Sequence, residues 1–409
     1  MKNAKQIPST ASKKGITRRE GMMLTVLGSA LLMAGCGGGG GGSPTASVQA
    51  GGTGSSASGA ITGFGSIIVG GVRFDDSAAS IQDDDGADLN SNNLKLGMVV
   101  RIKGGKKTDD GSSIRAKADS IEVHSELQGP VDSKTANSIV VLGQTVKISA
   151  TTFFEDGLSL ATLAVGAVVE VHGFVDPVNN NLTATRIENK PNAKVFKLQG
   201  AIKALNTATK TFTIGTGTGA LTISYLTADL PASLVLANDL VVRVRLALTP
   251  LTGTRTALKI RKYEIEKEDR NEAEVEGIIT AFTSTSLFSV NGLPVDASTA
   301  TFEGGKTGVV LGARVEVEGS IVNGVLVAKK VELEGGEDAA KFELHGTLSQ
   351  LDKIAKTFVL RGMTVKYDSA TILFVGVTAL TLANGLNIEV KGKRSAGNVI
   401  VATRISLDR

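Results

Sequence analysis

The residue types in this chain that could do chemistry are few and scattered. Asp83, Asp84 and Asp85 are followed by Gly86-Ala87-Asp88 and preceded by Asp75 and Asp76, so carboxylates cluster at a glycine turn, as a hard cation such as calcium requires. A helix-loop-helix calcium loop also wants acids at alternate positions before its glycine and a Glu six positions beyond it, where this chain has Asn92. Asp83, Asp84, Asp85 and Asp88 therefore read as a hydrophilic turn, and as the place where a weak cation site would lie. Ala300-Thr301-Phe302-Glu303-Gly304-Gly305-Lys306-Thr307 satisfies a loose phosphate-loop pattern. That loop needs a strand before it and a helix after it, and here a second strand pattern follows instead, which argues against nucleotide. His124, His172 and His345 stand at different places in their surroundings and lack metal-ligand spacing. No nucleophile-base pair or paired carboxylates are singled out, so neither an enzyme nor a cofactor is expected.

The elements around these residues are organised by one recurring stretch. Gly312-Ala313-Arg314-Val315-Glu316-Val317-Glu318-Gly319 alternates apolar and charged residues between two glycines, the pattern of a strand with one buried face. It returns from Gly97 to Gly104, from Gly166 to Gly173 and from Gly385 to Gly392, with a worn copy from Asp239 to Leu246. Each copy is preceded by an opening glycine, at Gly59, Gly129, Gly200, Gly277 and Gly346, spaced 70, 71, 77 and 69 residues apart. Asn291-Gly292 is a strong hairpin signal, and three sister copies keep at least a glycine there. A partner strand follows with alanine at one fixed point, at Ala118, Ala184, Ala257, Ala328 and Ala402, which suggests close approach of another strand. Most Phe residues, Phe74, Phe282, Phe288 and Phe358 among them, fall on the apolar phase of strands and are expected in cores rather than on stacking surfaces.

These patterns predict an all-β chain of five tandem small antiparallel barrel-like (OB-like) modules behind a disordered N-terminal leader and linker. The expected boundaries are 1–35 for the signal peptide, 36–57 for a Gly/Ser-rich tether, and 58–125, 126–192, 195–266, 273–335 and 341–409 for the modules, the third being diverged. The charged run 264–276 is expected to be a solvated hinge, with a strand shared by its neighbours as the alternative. The repeats suggest a row of rigid units presenting a long surface.

Six of the 44 Lys and Arg and one of the 40 Asp and Glu precede Cys36, leaving 38 bases against 39 acids. The basic character is thus mostly the leader's, and it argues against a nucleic-acid partner, which needs a basic footprint on the folded part. Residues 1–36 have a basic start, an apolar run from Met22 to Met33 and a small-residue ending, as an export signal does. Leu32-Met33-Ala34-Gly35-Cys36 resembles a bacterial lipobox, whose cysteine is lipidated and becomes the N-terminus. The resemblance implies Cys36 as a lipidation site and the membrane as a partner through that lipid. Thr17-Arg18-Arg19-Glu20-Gly21-Met22 resembles a twin-arginine export motif, with general secretion as the alternative. Gly37 rather than Asp after the cysteine implies, by analogy with Gram-negative lipoproteins, the outer membrane.

The pattern Gly-apolar-Ile, Val-Asn-Gly, Leu-x-x-Gly-x-x-Val-x-Val-x-Gly and Ala-x-x-Ile-Glu resembles a family of tandem β-domains in bacterial lipoproteins catalogued only as a domain of unknown function. It extends from about Gly59 to Arg409 and its motifs are structural. The resulting expectation is a lipid-anchored cell-envelope protein acting as a non-enzymatic scaffold or binding protein, with an envelope protein or polysaccharide as further partner. The alternatives are a periplasmic or surface lipoprotein that binds a glycan or cation, and a hydrolase with its site in one diverged module.

Overall fold

The computed structural model describes residues 54–111, 113–176, 181–249, 253–265, 267–334, 341–395 and 398–408. Cys36 and the whole leader lie outside these residues. Among the described residues there is no α-helix, and no helix long and apolar enough to cross a membrane.

The fourth barrel shows the plan. Its five strands are Arg270–Ser284, Leu287–Val290, Leu293–Asp296, Arg314–Val322 and Val325–Leu333. The first three form an antiparallel meander, the third pairs in parallel with the fifth, and the fourth lies antiparallel to both the fifth and the first. The spatial order 1-2-3-5-4 returns to strand 1, so the sheet closes in the OB arrangement. The short strand Thr301–Glu303 adds to the fifth in parallel.

The other four barrels repeat this closure. In barrel one the strands are Ser55–Ala60 with Gly63–Phe64, Ile67–Val69, Val72–Asp75, Val99–Gly104 and Ile114–His124. Barrel two uses Leu127–Lys134, Ser138–Val141, Gln144–Lys147, Val168–Val175 and Leu182–Asn189. Barrel three uses Phe196–Ala201 with Lys203–Asn206, Thr211–Ile214, Leu221–Ser224, Val241–Leu246 and Arg255–Lys262. Barrel five uses Lys341–Thr347 with Ser349–Asp352, Thr357–Leu360, Met363–Lys366, Asn387–Ser395 and Val399–Leu407.

Two sequence features explain why the barrels close. The turn between strands two and three holds two successive residues in the left-handed region, Leu142 (φ 49°) and Gly143 (φ 71°), Asn291 (φ 49°) and Gly292 (φ 85°), and Arg361 (φ 51°) and Gly362 (φ 79°), as a type I′ hairpin demands. The second feature lies where the recurring strand ends. The ladder with the fifth strand shifts register before Gly104, Gly173, Gly319 and Gly392, and these glycines pair with Ala118, Ala184, Ala328 and Ala402. A Cβ on them would lie 2.6, 2.2, 2.2 and 2.5 Å from the backbone oxygens of Lys117, Thr183, Val327 and Val401 respectively. The glycine and the small alanine therefore admit a bulge that bends the hairpin round the barrel. Barrel three keeps the bulge with Leu246, fully buried, opposite Ala257.

The barrels do not form a row. Ser55 to Ser58 pair in parallel with Glu272 to Val275 of barrel four, and Gly63–Phe64 pair in parallel with Glu343–Leu344 of barrel five. Leu127 and Gln128 of barrel two pair with Leu198 and Lys197 of barrel three. Apolar cores merge accordingly: barrel one's continues into barrel five's, and barrel two's into barrel three's. Phe153 of barrel two meets Phe342 of barrel five edge-on, with ring centroids 4.8 Å apart. Barrel one therefore pairs strands with barrels four and five, and it meets barrels two and three through side chains, Arg186 donating to the Leu96 carbonyl at 3.2 Å and Lys197 lying 3.4 Å from Asp84.

Three expectations change with this packing. Residues 55–58 are strand rather than tether, since their Ser and Ala side chains fit between two flanking strands. Within the charged run, residues from Arg270 onward form the shared strand rather than a hinge. Phe282 is 37% exposed, because register shifts on both sides of it turn its ring outward, whereas Phe74, Phe288 and Phe358 are buried.

Replacing Gly319 by Ala should lower stability by about 1–3 kcal/mol, since the new methyl would meet backbone rather than a movable side chain. Urea denaturation checks this, and an unchanged midpoint would show that the bulge tolerates a side chain.

Candidate functional site

The joint between barrels one and two is a short linker, His124-Ser125-Glu126, and all three residues are buried. Buried linker backbone must find partners. Glu126 N–H donates to the Val171 carbonyl at 3.0 Å, and Gln199 N–H donates to the Glu126 carbonyl at 3.1 Å. His172 Nδ1–H donates to the His124 carbonyl at 2.5 Å, and Lys197 Nζ reaches Ser125 Oγ at 3.1 Å. Arg243 Nη2 donates to His124 Nδ1 at 2.5 Å while its guanidinium lies 5.2 Å from the centre of the Tyr263 ring. Burial, followed by the charges of Arg243 and Arg101, holds His124 well below the usual histidine range, so it is neutral.

A cleft of about 600 Å³ opens on one side of this linker, with walls from barrels one, two, three and five. On its barrel-two wall, Glu170 and His172 stand two residues apart on one strand, and Glu188 faces Glu170 across the ladder. Lys190 Nζ lies 2.9 Å from Glu170 Oε2 and 2.8 Å from Glu188 Oε2. Lys197 Nζ lies 3.2 Å from Glu170 Oε1, and Arg186 Nε lies 2.5 Å from Glu188 Oε1. Burial raises the Glu170 carboxyl, but His172, Lys197 and Lys190 outweigh it and hold the group below the carboxylate range. Burial also pushes His172 itself down despite Glu170 and Glu188, so near neutral pH the two lysines carry the effect. The His172 Nε2 atom is buried and has no hydrogen-bond partner among the described residues.

The acidic turn singled out in the sequence forms part of the same cleft. Asp84, with a side chain 1% exposed, lies 3.4 Å from Lys197 and 3.0 Å from Arg245, both of barrel three. Asp85 accepts from Arg245 Nε at 2.7 Å and lies 3.7 Å from Lys259. Asp83 Oδ1 accepts the N–H groups of Asp85 and Ala87 at 2.9 and 2.8 Å, and exposed Asp88 accepts from Gln82 at 2.9 Å. The turn is therefore solvated at Asp88 and locked to another barrel at Asp84 and Asp85. The cations it meets here are side chains.

Among the described residues, three groups of side chains bring three potential metal ligands within 4.8 Å of one another: Glu170, His172 and Glu188; Glu343, His345 and Glu389; and Asp83, Asp84 and Asp85. In the second, both His345 ring nitrogens are taken, Nδ1 by Asp408 at 3.0 Å and Nε2 by Glu343 at 2.8 Å. Burial works against the charge on His345, yet Glu343 and Asp408 raise its pKa, so this is an ion pair packed against Arg73 of barrel one. The loose phosphate-loop match forms the strand Thr301–Glu303 and a glycine turn, with Lys306 Nζ 4.7 Å from the centre of the Phe302 ring. Glu170, Glu188, Lys190, Lys197 and Arg245 were not singled out from the sequence. The signal available was Glu170-x-His172 on the recurring strand opposite a Glu, which pairing in register brings together.

Elsewhere carboxyls are buried with less compensation. Glu126 lines a second, more apolar cavity of about 340 Å³ with Phe174, Leu240 and Tyr263, and burial pushes its pKa up to about 7. Glu316 of barrel four is pushed up to about 8 by burial and then by Glu276, Glu274, Glu334 and Glu332.

Residues 128–188, 276–332 and 345–406 match the family described as domain of unknown function (DUF5666). The matched segments lie in barrels two, four and five, consistent with repeated copies of that domain. The three matched segments share the type I′ turn and the Gly–Ala bulge. The Glu170–His172–Glu188 group belongs to the first copy, and the Glu343–His345–Glu389 group to the last. No curated protein matches the chain. A solved structure, "drosophila Unr CSD456", is 16% identical, covers 42% of this chain and 79% of its own, and has a TM-score of 0.16, too low to bear on fold or function.

Two predictions follow from the charges. Asp84→Asn removes the buried carboxylate that Lys197 and Arg245 share, leaving Lys197 on Glu170 and Arg245 on Asp85, and should cost about 1–3 kcal/mol, read by denaturant titration. A loss within error of zero would mean the pairs are not formed. Glu126 and Glu316 have folded pKa values above the ordinary 4.5, so folding takes up protons and stability falls as pH rises from about 4.5 towards 7 and 8 respectively. Melting temperatures across pH 5 to 9 should therefore decline less for Glu126→Gln and for Glu316→Gln than for the wild type, and parallel curves would contradict this.

Proposed function

We propose that this chain is an exported, lipid-anchored protein of the cell envelope whose five barrels act together as a non-enzymatic scaffold or binding body. The observation that carries the non-enzymatic part is the state of the charged groups in the cleft beside the buried linker. Asp84 is engaged by Lys197 and Arg245 and Glu170 by Lys197, in each case across a barrel boundary, and Glu188 is engaged by Arg186 within barrel two, so their charge is used to hold the barrels and their walls in place. A carboxylate acting as base or nucleophile would instead need a position open to substrate. The anchor rests on the Cys36 signal in the sequence, and the outer-membrane address on Gly37. With barrels packed round barrel one, the binding body offers inter-barrel clefts to a partner protein or glycan rather than one long face.

A second reading, a cation-binding envelope protein, is favoured by the Glu170–His172–Glu188 group. For the hydrolase alternative, carboxylates and histidine gather in barrels two and five, and among the described residues no such group lies in the diverged barrel three.

The test is fractionation of tagged wild type beside Cys36→Ala, with identification of co-purifying proteins and glycans. The wild type should stay with membranes through a high-salt wash and Cys36→Ala should be released. Retention of the variant would remove the lipid anchor, and turnover of ester, glycoside or phosphate substrates by the purified chain would remove the non-enzymatic reading.

A further inference from the structure

We propose that Glu170, His172 and Glu188 form a binding site for a divalent transition-metal ion, with the ammonium of Lys190 as the internal cation that the metal displaces. The site lies in the first DUF5666 copy and stands whether or not the chain is lipid-anchored.

The argument begins with strand geometry. Residues two apart on a strand share a face, so Glu170 and His172 point to the same side, and Glu188 is Glu170's partner across the ladder. One ligand atom from each lies within 4.8 Å of the others. An ion with metal–ligand bonds of about 2.1 Å spans slightly less than that, so small side-chain rotations suffice.

The histidine is prepared for the role. Its Nδ1–H is held by the His124 carbonyl at 2.5 Å, which leaves the lone pair on Nε2, and Nε2 is buried with no hydrogen-bond partner among the described residues. A backbone carbonyl on one ring nitrogen is the usual way a protein orients an imidazole whose other nitrogen binds metal. His345, with carboxylates on both nitrogens, lacks this preparation.

The carboxylates divide their oxygens in the same sense. Each Oε1 is held by a largely buried cation, Lys197 for Glu170 and Arg186 for Glu188. Among the described residues, Lys190 Nζ lies 2.9 Å from the Oε2 of Glu170 and 2.8 Å from that of Glu188. Lys190 is the most exposed member of the group, its side chain 34% accessible, and a long side chain of this kind can swing its head into water. The position it vacates is bounded by two carboxylate oxygens and opens on the cleft, which has room for water ligands. An imidazole with two carboxylates suits a first-row transition ion, whereas calcium prefers six or more oxygens.

The test is calorimetric titration of Zn²⁺ into the full chain carrying Cys36→Ala, without a histidine tag, so that neither a thiol nor a tag competes. We expect one saturable site that His172→Asn weakens by about tenfold or more. Lys190→Ala should bind about tenfold more tightly, because the competing ammonium is gone. Ca²⁺ should not compete. Absence of saturable binding in both the parent and Lys190→Ala overturns the proposal, as does binding that His172→Asn leaves unchanged while circular dichroism shows it folded. Should His172→Asn fail to fold, the Lys190→Ala arm decides, and equal or weaker affinity there counts against the site.

Discussion

Each small barrel depends on one close backbone approach. Five short strands close only if the hairpin between the fourth and fifth bends sharply, and the bend occurs where a fifth-strand carbonyl lies against a glycine of the fourth. Where that glycine is replaced, as by Leu246 in barrel three, the register shift persists and the side chain goes into the core. Closure then fixes everything else: it removes the free edges along the meander, and it leaves the ends of the first strands as the places where another barrel can pair.

Packing five such bodies together buries charge. The polar outer faces of the recurring strands become the walls of clefts between barrels, and a charge taken from water must be matched there. Asp84 beside Lys197 and Arg245, Glu276 beside Arg314 and the Ala60 N–H, and Glu343 beside Arg73 and Lys391 are matches made across barrels or at their junctions. Such pairs add modest net stability but discriminate strongly between correct and shifted packing, because a slipped arrangement strands a buried charge. The same environment explains the one imidazole nitrogen left unpartnered in barrel two: His172 is oriented by the linker carbonyl and enclosed by barrels that pack for other reasons.

Much of this was legible in the sequence, and the division is physical. Period-two alternation between glycines identifies a half-buried strand wherever it occurs, and its five copies, one of them worn, identify five units, because those signals are local. The fixed alanine pointed to close approach, and its partner is the glycine at the bulge. Contacts between barrels were not legible, since Lys197, Arg245 and Glu170 read as ordinary solvated charges on strands. Ser55 to Ser58 looked like tether because small polar residues bury little by themselves; only a strand on each side makes them part of a sheet. Phe282 followed the alternation on paper, and two register shifts undo it. Glu188 and Lys190 needed the ladder register before they could be placed beside Glu170.

The account stands on the barrels being one body joined through the buried linker His124-Ser125-Glu126. Amide hydrogen exchange on the full chain tests that directly. Glu126 N–H and Gln199 N–H, bonded across the junction of barrels one, two and three, should exchange as slowly as the amides of the central strand Val168–Val175. Exchange of these two amides at the rate of an exposed turn, with the strands still protected, would show independent barrels on an open string and contradict it.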